Sequence, residues 1–512
     1  LTRTLAAEWG GRGVRVNAVC PGWIKTENVT GYAAIWFRID GLTNFISLDN
    51  MSDQGPHGTQ GWRRYEFVRD VSPNGVRAVL GVFLSGTGTA WFDDMRVEID
   101  GKPMTQGAGP NVGEPTPQQL DWIKRTAIPI AGASPALGHD DLQPLKALIG
   151  NARVVALGEG THGTSEYFQM KHRIIEFLAS EMGFTTFAIE ANMPEAYAVN
   201  DYVLNGRGDP KQLLKGMYFW TWNTHEVLDM ILWMRDFNQS GKGRILFTGF
   251  DMQTASVAAS VARAFVASAE AEYLPTVDAA YKLASDVAKL TPAGAAQYAA
   301  QYNAANQAVT TVRQHLESKR TEYLAKAPAA DVDWAIQNAR VVEQATRLLT
   351  SSSSYRDEQM AANFNWIVDQ APAGSKFVIW AHNGHVYRGS GAMGSYLSAK
   401  YGSDYAVLGF AMHEGTYSAG GPRGLTTYEA SASFPGSAEY YFHKTGMPAF
   451  ILDLRKAVWT DPASAFLMDQ IEFRSGIGSV AMDGFYPTLT LTSDYDALIF
   501  FDQTKASALL PF

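Results

Sequence analysis

The chain has 512 residues, a net charge of −9 at neutral pH and an isoelectric point near 5.6. This length predicts two or more domains, and 46% hydrophobic with 18% charged residues is typical of a globular protein. An acidic chain without a basic stripe argues against a nucleic-acid partner, and no apolar run reaches the ~18 residues of a membrane span. The single cysteine, Cys20, excludes an internal disulfide and favours a cytoplasmic location. Because the chain begins at Leu1, we expect the native N-terminus to be incomplete.

The first thirty residues predict a helix over residues 1–9, a short strand from Val14 to Val19 and a Pro-Gly loop. The segments LTRTLAAEW and GVRVNAVCPG within them resemble the late part of short-chain dehydrogenases. The dinucleotide loop and the Tyr/Lys catalytic pair of that family lie upstream and are missing from this sequence. We therefore interpret residues 1–30 as a remnant that does not bind NAD.

Residues 31–100 contain five short strand-like runs that Gly, Asn and Asp separate. The runs span residues 35–39, 45–48, 62–68, 76–84 and 90–99. They predict part of an antiparallel β-sandwich and resemble the jelly-roll modules of the carbohydrate-binding type. The tryptophans of this region either pack in a core or stack on sugars, so a carbohydrate contact through residues 31–100 stays open. Residues 101–118, rich in Gly, Pro, Thr and Gln, are interpreted as a linker.

Four strand-like runs in the rest of the chain end directly in polar, reactive residues. Strand 153–157 precedes Glu159 and His162, strand 184–190 ends in Glu190, strand 245–250 precedes Asp251, and strand 377–381 precedes His382 and His385. In an open α/β sheet, function gathers beyond the carboxyl ends of the strands. The pattern therefore predicts one polar site, and it indicates an enzyme.

The connection between the first two of these strands predicts a single helix. Thr164 is suited to be its N-cap and Gly183 to follow its last residue, so the segment indicates a parallel βαβ unit. Residues 255–350 carry no strand pattern and are rich in Ala, Gln, Glu, Lys and Arg at helical spacing. We interpret them as a helical insertion, which either covers the site or forms a solvated spacer.

The turn GEGTHG at residues 158–163 matches the G-x-G-x-x-G pattern of dinucleotide-binding folds. A phosphate-binding turn needs bare backbone N–H groups and no competing anion. Glu159 stands inside this turn, where its carboxylate would repel a pyrophosphate, so we expect no bound cofactor. The glycines instead let Glu159 and His162 face one pocket with Glu190, and a histidine flanked by carboxylates is suited to accept a proton.

Four motifs occur in order along the chain. They are LGEGTHG at 157–163, YRDEQMAAN at 355–363, WAHNGH at 380–385 and PGSAE at 435–439. Together they resemble the erythromycin esterase family over about residues 119–512. Enzymes of this family open macrolide lactones by hydrolysis, with a histidine as the general base for water. The resemblance therefore implies a carboxylic ester hydrolase that acts on a small-molecule ester or lactone, and it associates the chain with macrolide antibiotic resistance.

The resemblance also implies site residues, one position at a time. His162 matches the general base, Glu159 the acidic residue three positions earlier, and Glu190 the acid of the second strand. The paired histidines of the later strand end correspond to His382 and His385. We expect both glutamates to orient and charge-balance the base.

One position departs from the family pattern. Lys171 stands where the resistance enzymes carry an arginine. Arg173 cannot replace it, because two positions along a helix rotate a side chain by ~200°. We expect Lys171, with His382 or His385, to stabilise the oxyanion that forms when water attacks the carbonyl.

Other chemistries have weaker support from the sequence. It contains no G-x-S-x-G nucleophile elbow and no H-E-x-x-H motif, so we predict neither a serine hydrolase nor a metal site. Two alternatives stay open: a non-catalytic protein that binds a polar or haem-like ligand, and a sugar-targeted hydrolase. The predicted fold is an α/β catalytic domain with a parallel sheet at 119–512, preceded by a partial antiparallel β-sandwich. The aromatic run at 218–223 either lines a pocket or belongs to the core.

Overall fold

The computed structural model describes two compact units, Leu1–Val112 and Gly113–Phe512. In the second unit the described residues are 113–511 without 292, 475–476 and 482–485. In the first unit they are 17–19, 22–40, 45–51, 53–66, 68–70, 77–93, 98–99 and 102–103. The helix expected over residues 1–9 lies outside them.

The described part of the first unit consists of short antiparallel strands. Their bounds are β1 Asn17–Val19, β2 Gly22–Val29, β3 Tyr32–Asp40, β4 Phe45–Asp49, β5 Gly58–Tyr65, β6 Val68–Asp70, β7 Arg77–Ser85, β8 Thr89–Asp93, β9 Glu98–Ile99 and β10 Lys102–Pro103. They form three sheets, in the orders β10-β9-β1-β6, β5-β2-β8 and β4-β3-β7. Ile24, Ala33, Ile35 and Phe37 are buried in the core of this unit.

Strand β2 corrects the loop that was expected after residue 19. Residues Ile24 and Thr26 are fully buried, whereas Lys25 is partly exposed and Glu27 is exposed. This alternation is the period of a half-buried strand, and the Pro-Gly pair at residues 21–22 concealed its beginning. The antiparallel sheets agree with the fold class expected for this region.

A sheet of nine strands organises the second unit. Their bounds are β11 Ile128–Pro129, β12 Val154–Leu157, β13 Thr186–Asn192, β14 Leu246–Asp251, β15 Phe377–Trp380, β16 Tyr405–Ala419, β17 Thr426–Ala430, β18 Ala449–Asp453 and β21 Ala497–Thr504. The order is β11-β18-β21-β16-β12-β15-β13-β14, with β17 paired to β16. The pairs from β21 to β14 along this order are parallel, and β11, β17 and β18 pair antiparallel with their neighbours. Strands β19 Ile471–Glu472 and β20 Thr488–Leu489 form a separate pair.

The described residues of this unit also form helices on both faces of the sheet. Their bounds are α1 Pro117–Thr126, α2 Leu145–Ile149, α3 Ser165–Met182, α4 Met193–Asn205, α5 Pro210–Lys215, α6 His225–Gln239, α7 Ser256–Ala269, α8 Leu274–Val287, α9 Ala299–Ser318, α10 Arg320–Tyr323, α11 Ala329–Leu348, α12 Ser353–Gln370, α13 Asn383–Val386, α14 Met393–Tyr401, α15 Ala438–His443 and α16 Leu491–Asp494. Short 3₁₀ helices lie at 135–137, 140–142, 220–222, 271–273, 296–298, 402–404, 454–456 and 465–467. Among the described helices, none combines the length and apolar character needed to cross a membrane.

The central strands are buried on both faces, as parallel strands between two helical layers must be. Along β12, Val155 and Leu157 belong to one hydrophobic cluster, whereas Val154 and Ala156 belong to the cluster on the other face. The insertion at 255–350 joins this second cluster through residues such as Val266. The insertion is therefore packed against the domain and is not a solvated spacer.

The first βα unit follows the sequence expectation with two differences. Helix α3 begins after Thr164, and Gly183 follows it with a φ of 71°, in the left-handed region that favours glycine. The Thr164 hydroxyl makes no capping bond and instead pairs with the Thr161 hydroxyl at 2.6 Å. Strands β12 and β13 are parallel but not adjacent, because β15 lies between them and pairs with both.

Candidate active site

The site begins at the turn after β12, where the carboxylate of Glu159 is completely buried. Glu159 Oε1 lies 2.6 Å from His162 Nδ1, and Oε2 accepts hydrogen bonds from Lys171 Nζ at 2.6 Å and Trp380 Nε1 at 2.7 Å. Burial would raise the pKa of Glu159, but Lys171 and His162 outweigh it and lower the pKa. Three donors around one ionised carboxylate fix its orientation.

His162 is held by this carboxylate and remains partly accessible, with 11% of its side chain exposed. Because Glu159 is ionised, Nδ1 carries the proton that Glu159 accepts, and this leaves the Nε2 lone pair for another partner. Nε2 makes no hydrogen bond to the part of the chain that the structure describes. Trp222 meets the ring edge-on at 6.1 Å, and the His382 ring lies 5.0 Å away between centroids. His162 is thus an oriented imidazole with a free basic nitrogen.

Lys171 has a different position from the one expected. Its side chain is fully buried beneath Glu159, over the ring of Trp380 at 4.3 Å. Burial lowers the pKa of Lys171 to about 8 although Glu159 opposes this shift, so the ammonium group is retained at neutral pH. The expectation that Lys171 stabilises an oxyanion is therefore wrong, because a group enclosed in this way cannot contact a substrate.

Arg173 lies on the opposite side of helix α3, as the helical rotation predicts. Its guanidinium forms an ion pair with Asp141 and donates to the carbonyl oxygens of Gly132 at 2.9 Å and Gly138 at 2.6 Å. Arg173 therefore anchors the segment before β12 and does not contribute to the site.

Glu190, at the end of β13, is the centre of a second buried cluster. Its Oε1 accepts from Arg356 Nη2 at 2.7 Å and lies 3.3 Å from His385 Nε2, and its Oε2 accepts from the backbone N–H of His382 at 2.9 Å. Burial would raise the pKa of Glu190, but His385 and Arg356 hold it well below the usual value. Glu190 makes no hydrogen bond to His162, so its expected role in orienting the base is replaced by a role in holding two cations.

The strand-end pattern placed Asp251 at the predicted polar site, whereas sequence reasoning did not single out Arg356. Arg356 Nη2 donates to Asp251 Oδ2 at 2.7 Å, and Nε donates to Asp251 Oδ1 at 3.2 Å. Asp251 is completely buried at the end of β14, whereas Arg356 keeps 19% of its side chain exposed. A signal for Arg356 was present in the sequence, because it belongs to the motif at 355–363.

His385 lies between two carboxylates. Nδ1 is 2.8 Å from Asp357 Oδ1, and Nε2 is 3.3 Å from Glu190 Oε1 and 2.9 Å from Arg356 Nη1. The contact with Arg356 taken alone would require a neutral ring with Nε2 as acceptor. Burial also favours the neutral ring, but Glu190 and Asp357 outweigh both effects and raise the pKa of His385 to about 9. His385 is therefore an imidazolium at neutral pH, and 19% of its side chain is exposed.

His382 is neutral and structural. Burial, with its neighbours His162 and His385, lowers the pKa of His382 to about 3. Nδ1 accepts from the backbone N–H of Gly384 at 3.1 Å, so Nε2 carries the proton and donates to the carbonyl oxygen of Ile477 at 3.2 Å. With both nitrogens occupied, His382 positions its loop beside His162 and offers no proton to a substrate.

The remaining candidates lie around these clusters. Trp222, from the aromatic run at 218–223, is buried and donates from Nε1 to the carbonyl oxygen of Glu190 at 3.1 Å, whereas Tyr218 is 65% exposed. Ser437 caps a short helix, and the buried Glu439 accepts from the backbone N–H of Arg474 at 2.7 Å. Within the described residues, no group of three or more His, Cys, Asp or Glu side chains is placed to hold a metal ion.

This arrangement, an α/β sheet whose strand ends carry a carboxylate–histidine pair beside a cationic cluster, defines a hydrolase-like site. A family model described as erythromycin esterase matches residues 179–504. The chain therefore belongs to the erythromycin esterase family. A second model, described as enoyl-(acyl carrier protein) reductase, matches residues 1–76, which include the segment that resembles short-chain dehydrogenases.

Individual relatives support the family assignment. Erythromycin esterase type II of Escherichia coli is 26% identical over 341 residues, which are 60% of this chain and 80% of that protein. A crystal structure of a Bacillus cereus protein is 27% identical, with a TM-score of 0.68 over 77% of this chain and 99% of that chain. An erythromycin esterase mutant in its open conformation, 18% identical, shares the fold with a TM-score of 0.59 over 73% of this chain and 96% of its own.

Proposed function

We propose that this chain hydrolyses a carboxylic ester or lactone with a water molecule that His162 activates. The observation that carries the proposal is the pair formed by Glu159 and His162. A carboxylate on Nδ1 sets the tautomer in which Nε2 is basic, and it stabilises the imidazolium that forms when Nε2 accepts a proton. Family membership supports the hydrolase class, and the name of the Escherichia coli relative supports a macrolide lactone as the first substrate to test.

The reaction starts from a water molecule bound to Nε2 of His162. As the water oxygen attacks the carbonyl carbon, Nε2 takes one of its protons and a tetrahedral oxyanion forms. The intermediate then breaks its carbon–oxygen bond to the leaving alcohol, and the His162 imidazolium returns the proton to that oxygen. The products are a carboxylic acid and an alcohol, and water is the only co-reactant.

The oxyanion requires a cationic or hydrogen-bonding partner. Arg356 and the His385 imidazolium are the cations of the site that keep exposed surface, 19% of each side chain, and their positive charge, not a free N–H group of His385, is what would stabilise the oxyanion. We propose them for this role in place of Lys171 and His382. Their carboxylate partners hold them in place before the reaction, so no reorganisation is needed when charge develops.

Mass spectrometry of a panel of macrolides and simple esters, incubated with the protein, tests this function. The expected product has gained the mass of one water, and His162→Ala should form it about 10²–10⁴ times more slowly. A matched control is His443→Ala, because His443 Nδ1 pairs with Asp502 at 2.7 Å outside the site. A wild-type protein that hydrolyses none of these compounds would contradict the proposal. The chemistry needs no metal, so activity should persist after treatment with EDTA.

A contact with carbohydrate through residues 31–100 is a second proposal. Trp62 on β5 and Trp91 on β8 are 46% and 38% exposed, and both strands flank β2 in one sheet. Exposed aromatic rings on a sheet provide a surface on which sugar rings can stack. Co-sedimentation of the full chain with insoluble polysaccharides should decrease in Trp62→Ala and Trp91→Ala, and equal sedimentation of the variants would reject this contact.

A further inference from the structure

Residues 505–510, which directly follow β21, form a segment that we call the strap. The strap pairs with two parts of the domain that are distant in sequence, the turn before α3 and the loop before α6. The pairing consists of two isolated antiparallel bridges, Ala506 with Thr164 and Leu509 with Thr224. The strap therefore connects the turn that carries His162 to the loop that carries Trp222.

On its first side, the strap holds the backbone next to His162. The backbone N–H groups of Ser507 and of Ser418 on β16 both donate to the carbonyl oxygen of Gly163 at 2.8 Å. The N–H of Gly163 donates to the Thr161 hydroxyl at 3.2 Å. A Cβ atom at Gly163 would lie 2.0 Å from the carbonyl oxygen of Ser418, so this close approach requires glycine. The residue that follows His162 is thus fixed at both of its backbone polar groups.

On its second side, the strap holds the residue that follows Trp222. The backbone N–H of Leu510 donates to the carbonyl oxygen of Asn223 at 2.9 Å, and Asn223 Nδ2 donates to the carbonyl oxygen of Leu510 at 3.3 Å. The Leu510 side chain is buried in the same hydrophobic cluster as Trp222. Because Trp222 meets the His162 ring edge-on, the strap holds the chain beside both members of this ring contact.

Glu226, in the first turn of α6, joins the strap to the beginning of α3. Its buried carboxylate accepts from the Ser165 hydroxyl at 2.6 Å, and it accepts from the backbone N–H of Ala508 at 3.1 Å and 3.2 Å. The backbone N–H of Ser165 in turn donates to the carbonyl oxygen of Lys505 at 2.8 Å. Burial of a carboxylate is costly unless such hydrogen bonds compensate it. Glu226 therefore links α3, α6 and the strap through one carboxylate.

We propose that the strap sets the position of the His162 imidazole, with Ser507 and Glu226 as positioning residues. This inference rests on the proposed function, in which His162 is the base. In this role the strap acts through His162 and not on the substrate. A displacement of ~1 Å in a reacting group can lower a rate by about 10², so loss of the strap contacts should lower kcat with little change in KM.

The first test is Ser507→Pro, which removes the backbone N–H that reaches Gly163. For an ester that the wild type hydrolyses, kcat should fall by about 10² while KM changes little. Ser507→Ala is the matched control, because it keeps this N–H and removes a hydroxyl that makes no hydrogen bond to the described residues. Its kcat should equal that of the wild type.

A second pair of variants at Glu226 decides the question if Ser507→Pro does not fold. Glu226→Ala removes the acceptor and should lower kcat, whereas Glu226→Gln keeps an oxygen that can accept both hydrogen bonds and should retain the rate. Glu343→Ala removes another buried glutamate that accepts from a hydroxyl, within the insertion, and should leave kcat unchanged. An unchanged kcat in folded Ser507→Pro or Glu226→Ala would overturn the proposal, as would an equal loss in Ser507→Ala.

Proton NMR of the His162 Nδ1–H separates failure of the strap from failure of the proposed function. The hydrogen bond of this group to Glu159 at 2.6 Å should give a downfield signal that is absent in His162→Ala. The signal should shift or disappear in Ser507→Pro and Glu226→Ala, and it should stay in Ser507→Ala and Glu226→Gln.

If the wild type hydrolyses no ester but the signal responds in this way, the strap is confirmed as a positioning element of His162 and the catalytic proposal fails. If the signal is unchanged in folded Ser507→Pro and Glu226→Ala, the strap does not position His162, whatever the wild type hydrolyses.

Discussion

Glu159 and Glu190 occupy equivalent places, near the ends of two parallel strands, and both carboxylates are almost completely buried. Glu159 receives one histidine, one lysine and one tryptophan N–H, and it orients His162, the proposed base. Glu190 receives an arginine, an imidazolium and a backbone N–H, and it holds two cations that keep exposed surface. A glutamate at the same level of the sheet can therefore serve either of two proposed roles. It can orient a histidine that acts as a base, or it can hold cations that stabilise an oxyanion, and the role depends on which of its partners remains accessible.

The largest effect is expected from Glu159→Gln. Three donors point at this carboxylate, from His162, Lys171 and Trp380. An amide can accept on only one atom, so its NH₂ group would face His162 Nδ1 and force the proton onto Nε2. The base would then have the wrong tautomer, and kcat should fall by about 10⁴, as for the equivalent change in serine protease triads.

Steady-state kinetics of Glu159→Gln measure this loss. Glu181→Gln is the matched control, because Glu181 also pairs with a lysine, Lys146, but at the surface. Circular dichroism confirms that both variants are folded. If folded Glu159→Gln kept kcat within about tenfold of the wild type, Glu159 would not set the tautomer of the base.

Lys171→Met should affect stability strongly. The change keeps the length of the side chain but leaves the Glu159 carboxylate buried without its cation. Loss of one partner of a buried ion pair typically costs about 3–5 kcal/mol. Denaturant unfolding measures it, and Lys146→Met, which breaks a pair whose lysine is 45% exposed, should leave stability nearly unchanged. Equal effects of the two substitutions would show that Lys171 is not the buried counter-ion of Glu159.

Glu190→Gln should have a smaller effect on the rate and a distinct effect on its pH dependence. Asp251 still holds Arg356 and Asp357 still holds His385, so we expect kcat to fall by about tenfold. Without Glu190 the pKa of His385 should move down from about 9. The alkaline limb of the kcat profile should therefore shift to lower pH, and an unshifted limb would exclude His385 as a cation that acts in the reaction.

The smallest effect is the contribution of His385 to the pH dependence of stability. Its pKa of about 9 in the folded protein lies above the ~6.5 of an unfolded histidine. This stabilisation is complete below pH ~6.5 and is lost as the pH rises through about 9. Lys171, whose pKa is lowered to about 8, contributes the opposite slope above that pH. The difference in Tm between wild type and His385→Gln should therefore shrink from pH 6 to pH 10, and a constant difference would contradict the assignment.

The strand ends could be predicted from the sequence because each joins an apolar run to reactive side chains within a few residues. Glu159, His162 and Glu190 lie where this local rule puts them. The position of the Lys171 ammonium group could not be predicted in this way. It depends on the packing of helix α3, which places this group over the rings of Trp380 and Phe410. Arg356 was missed because it arrives from a helix that follows the insertion, far along the chain from its partners Glu190 and Asp251.

The order of strands illustrates the same limit. Local pattern predicts that β12, α3 and β13 form a parallel unit. The position of β15 between the two strands depends on pairing with residues roughly two hundred positions earlier in the chain. The position of β15 brings His382 beside His162 and Glu190, and it brings His385 beside Glu190. The composition of the site was therefore partly predictable, whereas its division into two clusters was not.

The kcat of His162→Ala, measured with and without added imidazole, tests most directly whether His162 is the general base. If His162 is the general base, the folded variant should lose about 10²–10⁴ in kcat. Imidazole diffusing into the space left by the side chain should restore part of the rate, in proportion to the concentration of its neutral form. A folded variant that retains near-normal kcat would show that another group activates the water.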